Sequence, residues 1–172
     1  MFQDKIYLHN YKSPCGDIIL GSFDNKLCLC DWVNGKNNNT TKEKIIATLK
    51  ADCRNESDDV IKRATDQLNE YFDKRRKAFD IPLLFVGTEF QKKVWTCLLN
   101  IPYGRTISYS GQAKMINHPN SVRAVAHANS LNAISIFAPC HRVIAANKSL
   151  AGYGGGIETK KFLLALEGVT LF

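Results

Sequence analysis

The run Pro139-Cys140-His141-Arg142-Val143-Ile144 concentrates more chemistry than any other segment of this chain. A free cysteine has a pKa of about 8.5 and is mostly protonated at neutral pH, whereas the nucleophile is the thiolate. A histidine and an arginine directly after Cys140 supply a base and a positive field, the two usual ways of activating it. Upstream, residues 134–138 read as a buried strand that would hold the thiol rigidly. Downstream, Gly152-Tyr153-Gly154-Gly155-Gly156 is a loop whose bare backbone lets a flat ligand come close. Glu167 ends an apolar helix over 162–166, a position from which a carboxylate can orient a histidine. Taken singly, each has a bland counterpart: a structural Cys-His pair, a glycine turn, a solvated helix-end glutamate.

Positioning these residues needs ordered elements, and the composition allows them. Of 172 residues, 45% are hydrophobic and 23% charged, a globular balance that excludes wholesale disorder. No run approaches the roughly 20 apolar residues that span a bilayer. Gln3, Asp4, Lys5 and His9 interrupt the apolar positions at the start, unlike a secretory leader. The expectation is a soluble cytoplasmic protein (nuclear in a eukaryote) without a membrane partner, its six cysteines reduced. Core packing is expected for Cys15, Cys28, Cys30, Cys53 and Cys97, with Cys28 and Cys30 on one strand face. Their spacings lack the paired C-x₂₋₄-C of a zinc site.

Residues 3–33 read as short strands, the best hairpin being 16–23 with 27–33 about Asp24-Asn25-Lys26. Residues 35–41 read as a polar loop. Ser57 caps a helix through Val60, Ile61, Ala64, Leu68, Tyr71 and Phe72, closed by Lys74-Arg75-Arg76-Lys77. A short apolar strand over 81–86 leads into a boundary dividing the chain into domains 1–85 and 86–172. Thr88 and Gln91 form a capping box that opens a helix through Phe90, Val94, Trp95, Leu98 and Leu99. Ser108 caps a short helix reaching Ile116, and another spans 120–130, a helix-turn-helix pattern. Charge follows the same division. Residues 1–89 carry fourteen Lys/Arg and fourteen Asp/Glu, whereas residues 90–172 carry nine Lys/Arg against Glu158 and Glu167 alone. A half so poor in carboxylates suits a polyanionic partner.

Together these residues resemble a known family. The match runs through Gly87-Thr88-Glu89-Phe90-Gln91, Val94-Trp95, Ile101-Pro102-Tyr103-Gly104, Ser108-Tyr109, Arg123-Ala124-Val125, Asn132, Pro139-Cys140-His141-Arg142-Val143-Ile144, Gly152-Tyr153 and 163–168. It is the pattern of the O6-alkylguanine-DNA alkyltransferases, the methylated-DNA–protein-cysteine methyltransferases, over roughly residues 80–170. The N-terminal half resembles them in length, in its Ser13-Pro14-x-Gly16 turn and in its hairpins.

The resemblance implies an α+β protein: an N-terminal ribonuclease-H-like α+β domain, then a mostly helical C-terminal domain with a winged-helix-like helix-turn-helix. It implies suicidal transfer of the alkyl group from O6-alkylguanine, and from O4-alkylthymine, in double-stranded DNA to Cys140, by a monomer that binds through the minor groove. It implies that His141 is the base through a bound water, that Glu167 polarises it, and that Asn132 braces the helix-turn-helix against the active-site segment. Tyr109 and Ser110 would meet the DNA, Tyr109 also helping to protonate the leaving guanine. Arg123 would enter the stack vacated by the flipped base. The Val143 carbonyl, Tyr153 and the Gly154 amide would hold that base. No metal or other cofactor is implied: some relatives carry zinc in the N-terminal domain, but Phe23 and Cys28 stand where other ligands would be needed, and His9 alone does not replace them. Ala133 stands where a proline usually follows Asn132, so a less rigid loop is expected. Asn129 and Ser135 are expected to line the pocket.

Three rival functions fit less well. A lesion sensor of this fold lacks the acceptor cysteine, which is present here. A helix-turn-helix regulator needs base-reading side chains, whereas 120–130 is rich in alanine and short polar residues. A cysteine hydrolase keeps its histidine far from the cysteine in sequence.

Overall fold

Alternating apolar residues and tight turns make the first third of the chain a sheet. In the computed structural model, which describes residues 4–150 and 152–170, β1 (Lys5–Ser13), β2 (Gly16–Phe23) and β3 (Lys26–Trp32) form an antiparallel meander. Residues 1–3, 151, 171 and 172, which fall inside the two expected domains, lie outside the described residues. β4 (Asp52–Arg54) adds parallel to β1, giving the order β3-β2-β1-β4. The β2–β3 turn consists of Asp24 and Asn25 alone, at φ 48° and 59°. Two consecutive left-handed residues give the hairpin turn whose twist matches its strands, and Asp and Asn tolerate that conformation. Lys26, expected in the turn, instead pairs with Phe23.

Helix α1 (Asn38–Leu49) contacts β3, and α2 (Asp59–Phe72) contacts β1, β2 and β3. The loop expected over 35–41 therefore ends early. Only Asn38 and Ile45 of α1 are buried, so the helix has almost no apolar stripe by which to announce itself. Asp58, not Ser57, caps α2: its carboxylate accepts from the Ile61 amide at 2.9 Å and from the Ser22 hydroxyl. Residues 81–86 do not form the expected strand. Leu27 donates to the Pro82 carbonyl and Leu83 makes one bridge to Leu27, but Pro82 has no N–H with which to extend a ladder.

In the second half, α3 (Glu89–Leu98) opens on the expected Thr88–Gln91 capping box. α4 (Tyr109–Met115), capped by Ser108, and α5 (Val122–Ser130) form the helix-turn-helix, and α6 (Ile157–Leu166) follows the glycine loop. β5 (Ile107–Ser108) pairs in parallel with β6 (Val143–Ile144), tying the start of α4 to the residues just after Cys140-His141-Arg142. One hydrophobic cluster runs through both halves, including Leu27, Cys30 and Trp32 with Trp95, Ile134, Phe137 and Leu163. Cys28, Cys30 and Cys97 are core residues; Cys15 is half-buried and Cys53 is exposed, against expectation, because β4 is a short edge strand.

Candidate active site

The apolar run 134–138 is buried but is not a strand. Cys30 donates to the Ala133 carbonyl and Ser135 donates to the Cys30 carbonyl, both at 2.8 Å, and the ladder stops there. The Phe137 amide then donates to Ser135 O at 2.9 Å, closing a three-residue turn about Ile136 at φ 72°. That conformation is strained for a β-branched residue. The Cys140 amide donates to Ala138 O at 2.9 Å about Pro139, whose φ of −83° and ψ of 69° make an inverse γ-turn. Asn132 secures the loop: its Nδ2 donates to Ala138 O at 2.8 Å and its Oδ1 accepts from the Ile134 amide at 3.0 Å. Ala133, expected to loosen this segment, has its carbonyl held by β3. Burial and conformation thus separate here, because a short apolar run looks the same as strand or turn.

Cys140 begins a single 3₁₀ turn, Cys140–Arg142, and is 7% exposed. Burial pushes its thiol up; a hydrogen bond from Asn132 and the charge of Lys160 oppose that, while the Asp31 carboxylate adds to it. Its resting form at neutral pH is the thiol. His141 is fully buried, and its Nε2 lies 2.8 Å from Glu167 Oε1. Burial holds its pKa below the usual histidine value despite Glu167, so the ring is neutral at pH 7. A neutral ring donating from Nε2 to the carboxylate leaves Nδ1 as an acceptor, and that buried atom has no hydrogen-bond partner among the described residues.

Glu167 sits at the end of α6 and gathers donors from four residues. Arg142 donates from Nε to Oε2 and from Nη2 to Oε1, both at 2.9 Å. Tyr71 donates to Oε1 at 2.7 Å and the Gly104 amide to Oε2 at 3.2 Å. Burial alone would raise the carboxyl, but the bonds and charges of His141 and Arg142 outweigh it and hold Glu167 well below the usual carboxylate range. It is an anion at every working pH.

Sequence reasoning missed Lys160, Tyr71 and Asp31. Lys160 is 1% exposed, its Nζ donating to the Val143 carbonyl at 2.7 Å. The ammonium lies 5.9 Å from the Tyr109 ring and 6.0 Å from the Tyr153 ring. A signal was available: Lys160, Leu163, Leu164 and Glu167 fall at i, i+3, i+4 and i+7, and all four are buried. Tyr71 looked like one more apolar residue of α2. Asp31 is 7% exposed because β3 is buried on both faces.

The other expected site residues fall into three places. Asn132, Cys140 and Gly154, with Asn129, Ser135 and Asp31, line one cavity of about 10 Å³. Tyr109, Val143 and Tyr153 surround Lys160 instead, with Tyr153 OH accepting from Trp32 Nε1 at 3.3 Å. Gly155 is packed so tightly on Trp32 that a Cβ would lie 2.8 Å from its ring, so this loop needs glycine there. Ser110, in the first turn of α4, is 3.0 Å from Ser108 Oγ. Arg123 is exposed on α5, and no ion pair or hydrogen bond among the described residues ties it to the Cys140 cluster. The two helices are clasped by Asn129 Nδ2 donating to Gln112 Oε1 at 2.6 Å, with Gln112 Nε2 donating to Val94 O at 3.0 Å. Trp95 Nε1 donates to Ala128 O at 2.8 Å. No group of three or more His, Cys, Asp or Glu among the described residues is arranged to hold a metal ion.

Residues 6–85 match the family described as 6-O-methylguanine DNA methyltransferase, ribonuclease-like domain, and residues 89–169 match 6-O-methylguanine DNA methyltransferase, DNA binding domain. The methylated-DNA–protein-cysteine methyltransferase of Methanosarcina acetivorans is 40% identical over 163 residues, 95% of this chain and 99% of its own length. The solved O6-methylguanine methyltransferase of Mycobacterium tuberculosis superposes with a TM-score of 0.80 at 37% identity, covering 94% of this chain and 92% of that one. A structure titled Mycobacterium tuberculosis OGT in complex with DNA superposes equally well, with the same identity and coverage. The sheet-first half and the helical half with its cysteine loop are therefore shared along almost the whole length, and the chain belongs to the 6-O-methylguanine DNA methyltransferase family.

Proposed function

We infer that this protein repairs DNA by moving the alkyl group of O6-alkylguanine onto Cys140, once per molecule. The observation that carries the reading is the thiol of Cys140, hydrogen-bonded by Asn132 and next in sequence to a neutral His141 whose Nδ1 is an open acceptor backed by anionic Glu167.

The chemistry follows from these groups. As the alkyl carbon approaches, the Cys140 proton passes through a bridging water to His141 Nδ1, and Glu167 stabilises the imidazolium that forms. Sulfur attacks the carbon in line with O6, the S–C bond forms as the C–O bond breaks, and the electron pair leaves with guanine. In this reading Tyr109 passes a proton to the departing base and recovers one from the imidazolium. In net terms the thiol hydrogen is exchanged for the alkyl group, and guanine gains a hydrogen. The displacement calls on no metal or organic cofactor. A thioether is a poor leaving group, so nothing regenerates Cys140.

The alkyl carbon is shielded inside a duplex, so the base must be flipped out. The helix-turn-helix, with Tyr109 and Ser110 on α4 and the exposed Arg123 on α5, is the surface we assign to DNA, with Arg123 filling the vacated stack. Val143, Tyr153 and Gly154 would hold the extruded base. The unit 1–85 supplies β3 and Tyr71 to a site otherwise built from 86–172. A monomer bound through the minor groove, active also on O4-alkylthymine and working in the cytoplasm, completes the reading. The charge excess of residues 90–172 supports the DNA partner in this reading.

Mass spectrometry after incubation with duplex DNA containing O6-methylguanine tests the reading. One methyl group on the Cys140 peptide is expected, with Cys140→Ser still binding DNA. Methyl on another cysteine, or more than one turnover per molecule, would overturn it.

A further inference from the structure

The cavity that borders Cys140 contains a charge that alkyl transfer does not require. Its lining side chains are small and neutral except for Asp31, contributed by β3 of the N-terminal sheet. Cys30, the preceding residue, pairs with Ala133 and Ser135, so β3 delivers Asp31 to the wall of this cavity by backbone hydrogen bonds. The Asp31 carboxylate is 7% exposed, and its one hydrogen bond among the described residues comes from the Trp32 amide at 2.9 Å. No Lys, Arg or His pairs with it among the described residues. Lys160 donates to the Val143 carbonyl and Arg142 to Glu167 and the Ile101 carbonyl, so neither buried cation is bonded to Asp31. A buried carboxylate with one donor and no counter-ion projects its field into the adjoining space.

What enters that space follows from the geometry of displacement. The carbon being transferred must reach Sγ in line with O6, so the groups it carries spread perpendicular to that axis, and the cavity that Cys140 borders is the space beside it. At about 10 Å³ the cavity has room for one water-sized group, which a methyl fills. A larger adduct must widen this cavity, whose lining also includes Gly35, Asn37 and Thr41, and it then shares the space with Asp31.

We propose that Asp31 is a specificity-determining residue that makes the alkyl pocket charge-selective, admitting neutral and cationic O6 adducts and rejecting anionic ones. This rests on the reading of Cys140 as the alkyl acceptor. A carboxymethyl group, which brings a second carboxylate beside Asp31, is the disfavoured substrate. Its isosteric amide, carbamoylmethyl, is tolerated, and 2-aminoethyl is favoured over both.

Single-turnover transfer from duplexes carrying O6-methyl-, O6-carboxymethyl-, O6-carbamoylmethyl- and O6-(2-aminoethyl)guanine tests this. The readout is the carboxymethyl-to-carbamoylmethyl rate ratio within each protein, so a general effect of a substitution on rate or fold cancels. In the wild type the anionic adduct is expected to react at least tenfold more slowly than its amide, and the cationic adduct fastest of the three. Asp31→Asn, and Asp31→Ala as a second variant, should each raise the ratio about tenfold and remove the advantage of aminoethyl. Equal ratios in wild type and variants, or a wild type indifferent to charge, would overturn the proposal while methyl transfer stood. Absence of transfer from O6-methylguanine itself would overturn the underlying reading and this inference with it.

Discussion

The hydroxyl of Tyr71 donates to Oε1 of Glu167 at 2.7 Å, joining the last turn of α2 to the C-terminal end of α6 in a buried cluster. The same oxygen meets His141 Nε2 and Arg142 Nη2. A helix of the first half of the chain thereby helps to fix the carboxylate that orients the histidine of the second.

Tyr71→Phe keeps the ring in place and removes one donor, leaving Glu167 those from His141, Arg142 and Gly104. One buried hydrogen bond to a charged group is worth about 1.5–3 kcal/mol. With the other donors compensating, alkyl transfer is expected to slow about fivefold, or about 1 kcal/mol in the barrier. DNA affinity should not change. Single-turnover rates and a binding titration check both, and wild-type kinetics would show that Glu167 needs no support from α2.

Lys160→Met preserves the packing of α6 but removes the cation that favours the Cys140 thiolate. Without DNA, alkylation of Cys140 by iodoacetamide at pH 7 should fall about tenfold. The midpoint of its pH profile should move to higher pH. Peptide mass spectrometry is needed as the readout, because exposed Cys53 reacts as well. An unmoved pH profile would reduce Lys160 to a strut for Val143.

Arg123→Ala should cost base flipping more than binding, because an exposed side chain filling the stack acts only once the base is out. Unstacking a base costs a few kcal/mol in duplex DNA and less in a single strand. Transfer should therefore slow strongly on duplex DNA, less on a single strand, and not at all on free O6-benzylguanine. Equal slowing on all three would leave Arg123 no role in the stack.

Burial pushes the Asp31 carboxyl up to about 6, against only the Trp32 amide bond. The folded state therefore holds this proton more tightly than the unfolded chain. The stability gained from protonation is complete below the usual carboxylate pKa of about 4 and is lost as pH rises through about 6. Asp31→Asn has no charge to bury, so above pH 7 it should exceed the wild type in stability by about 3 kcal/mol, with the gap closing below pH 4. Urea melts at pH 7.5 and pH 4 measure this. A constant gap would mean that Asp31 is solvated.

Much of the second half could be read from sequence, because its signals are local. The Thr88–Gln91 box, the Ser108 cap and the Cys140-His141 pair each lie within a few residues, and the structure contains all three. What could not be read was set by tertiary contact. Asp31 is buried only because β3 is covered on both faces, and Tyr71 meets Glu167 across 96 residues of chain. Residues 134–138 carry a strand's composition, but after Ser135 they turn back under the hold of Asn132, and no local pattern reveals a partner that lies across a turn. Helix α1 was missed because burial at Asn38 and Ile45 alone leaves no periodicity to see.

The pairing of Cys30 with Ala133 and Ser135 also bears on how the molecule assembles. Neither half of the chain can finish the cysteine loop alone, since one flank of that loop is a backbone ladder whose other rail is β3. Closing it joins segments far apart in sequence, and such contacts form late and slow the search for the native state. Heat should therefore abolish alkyl acceptance in the same transition that melts the sheet, and a nascent chain released before β3 has docked would carry the cysteine without its reactivity.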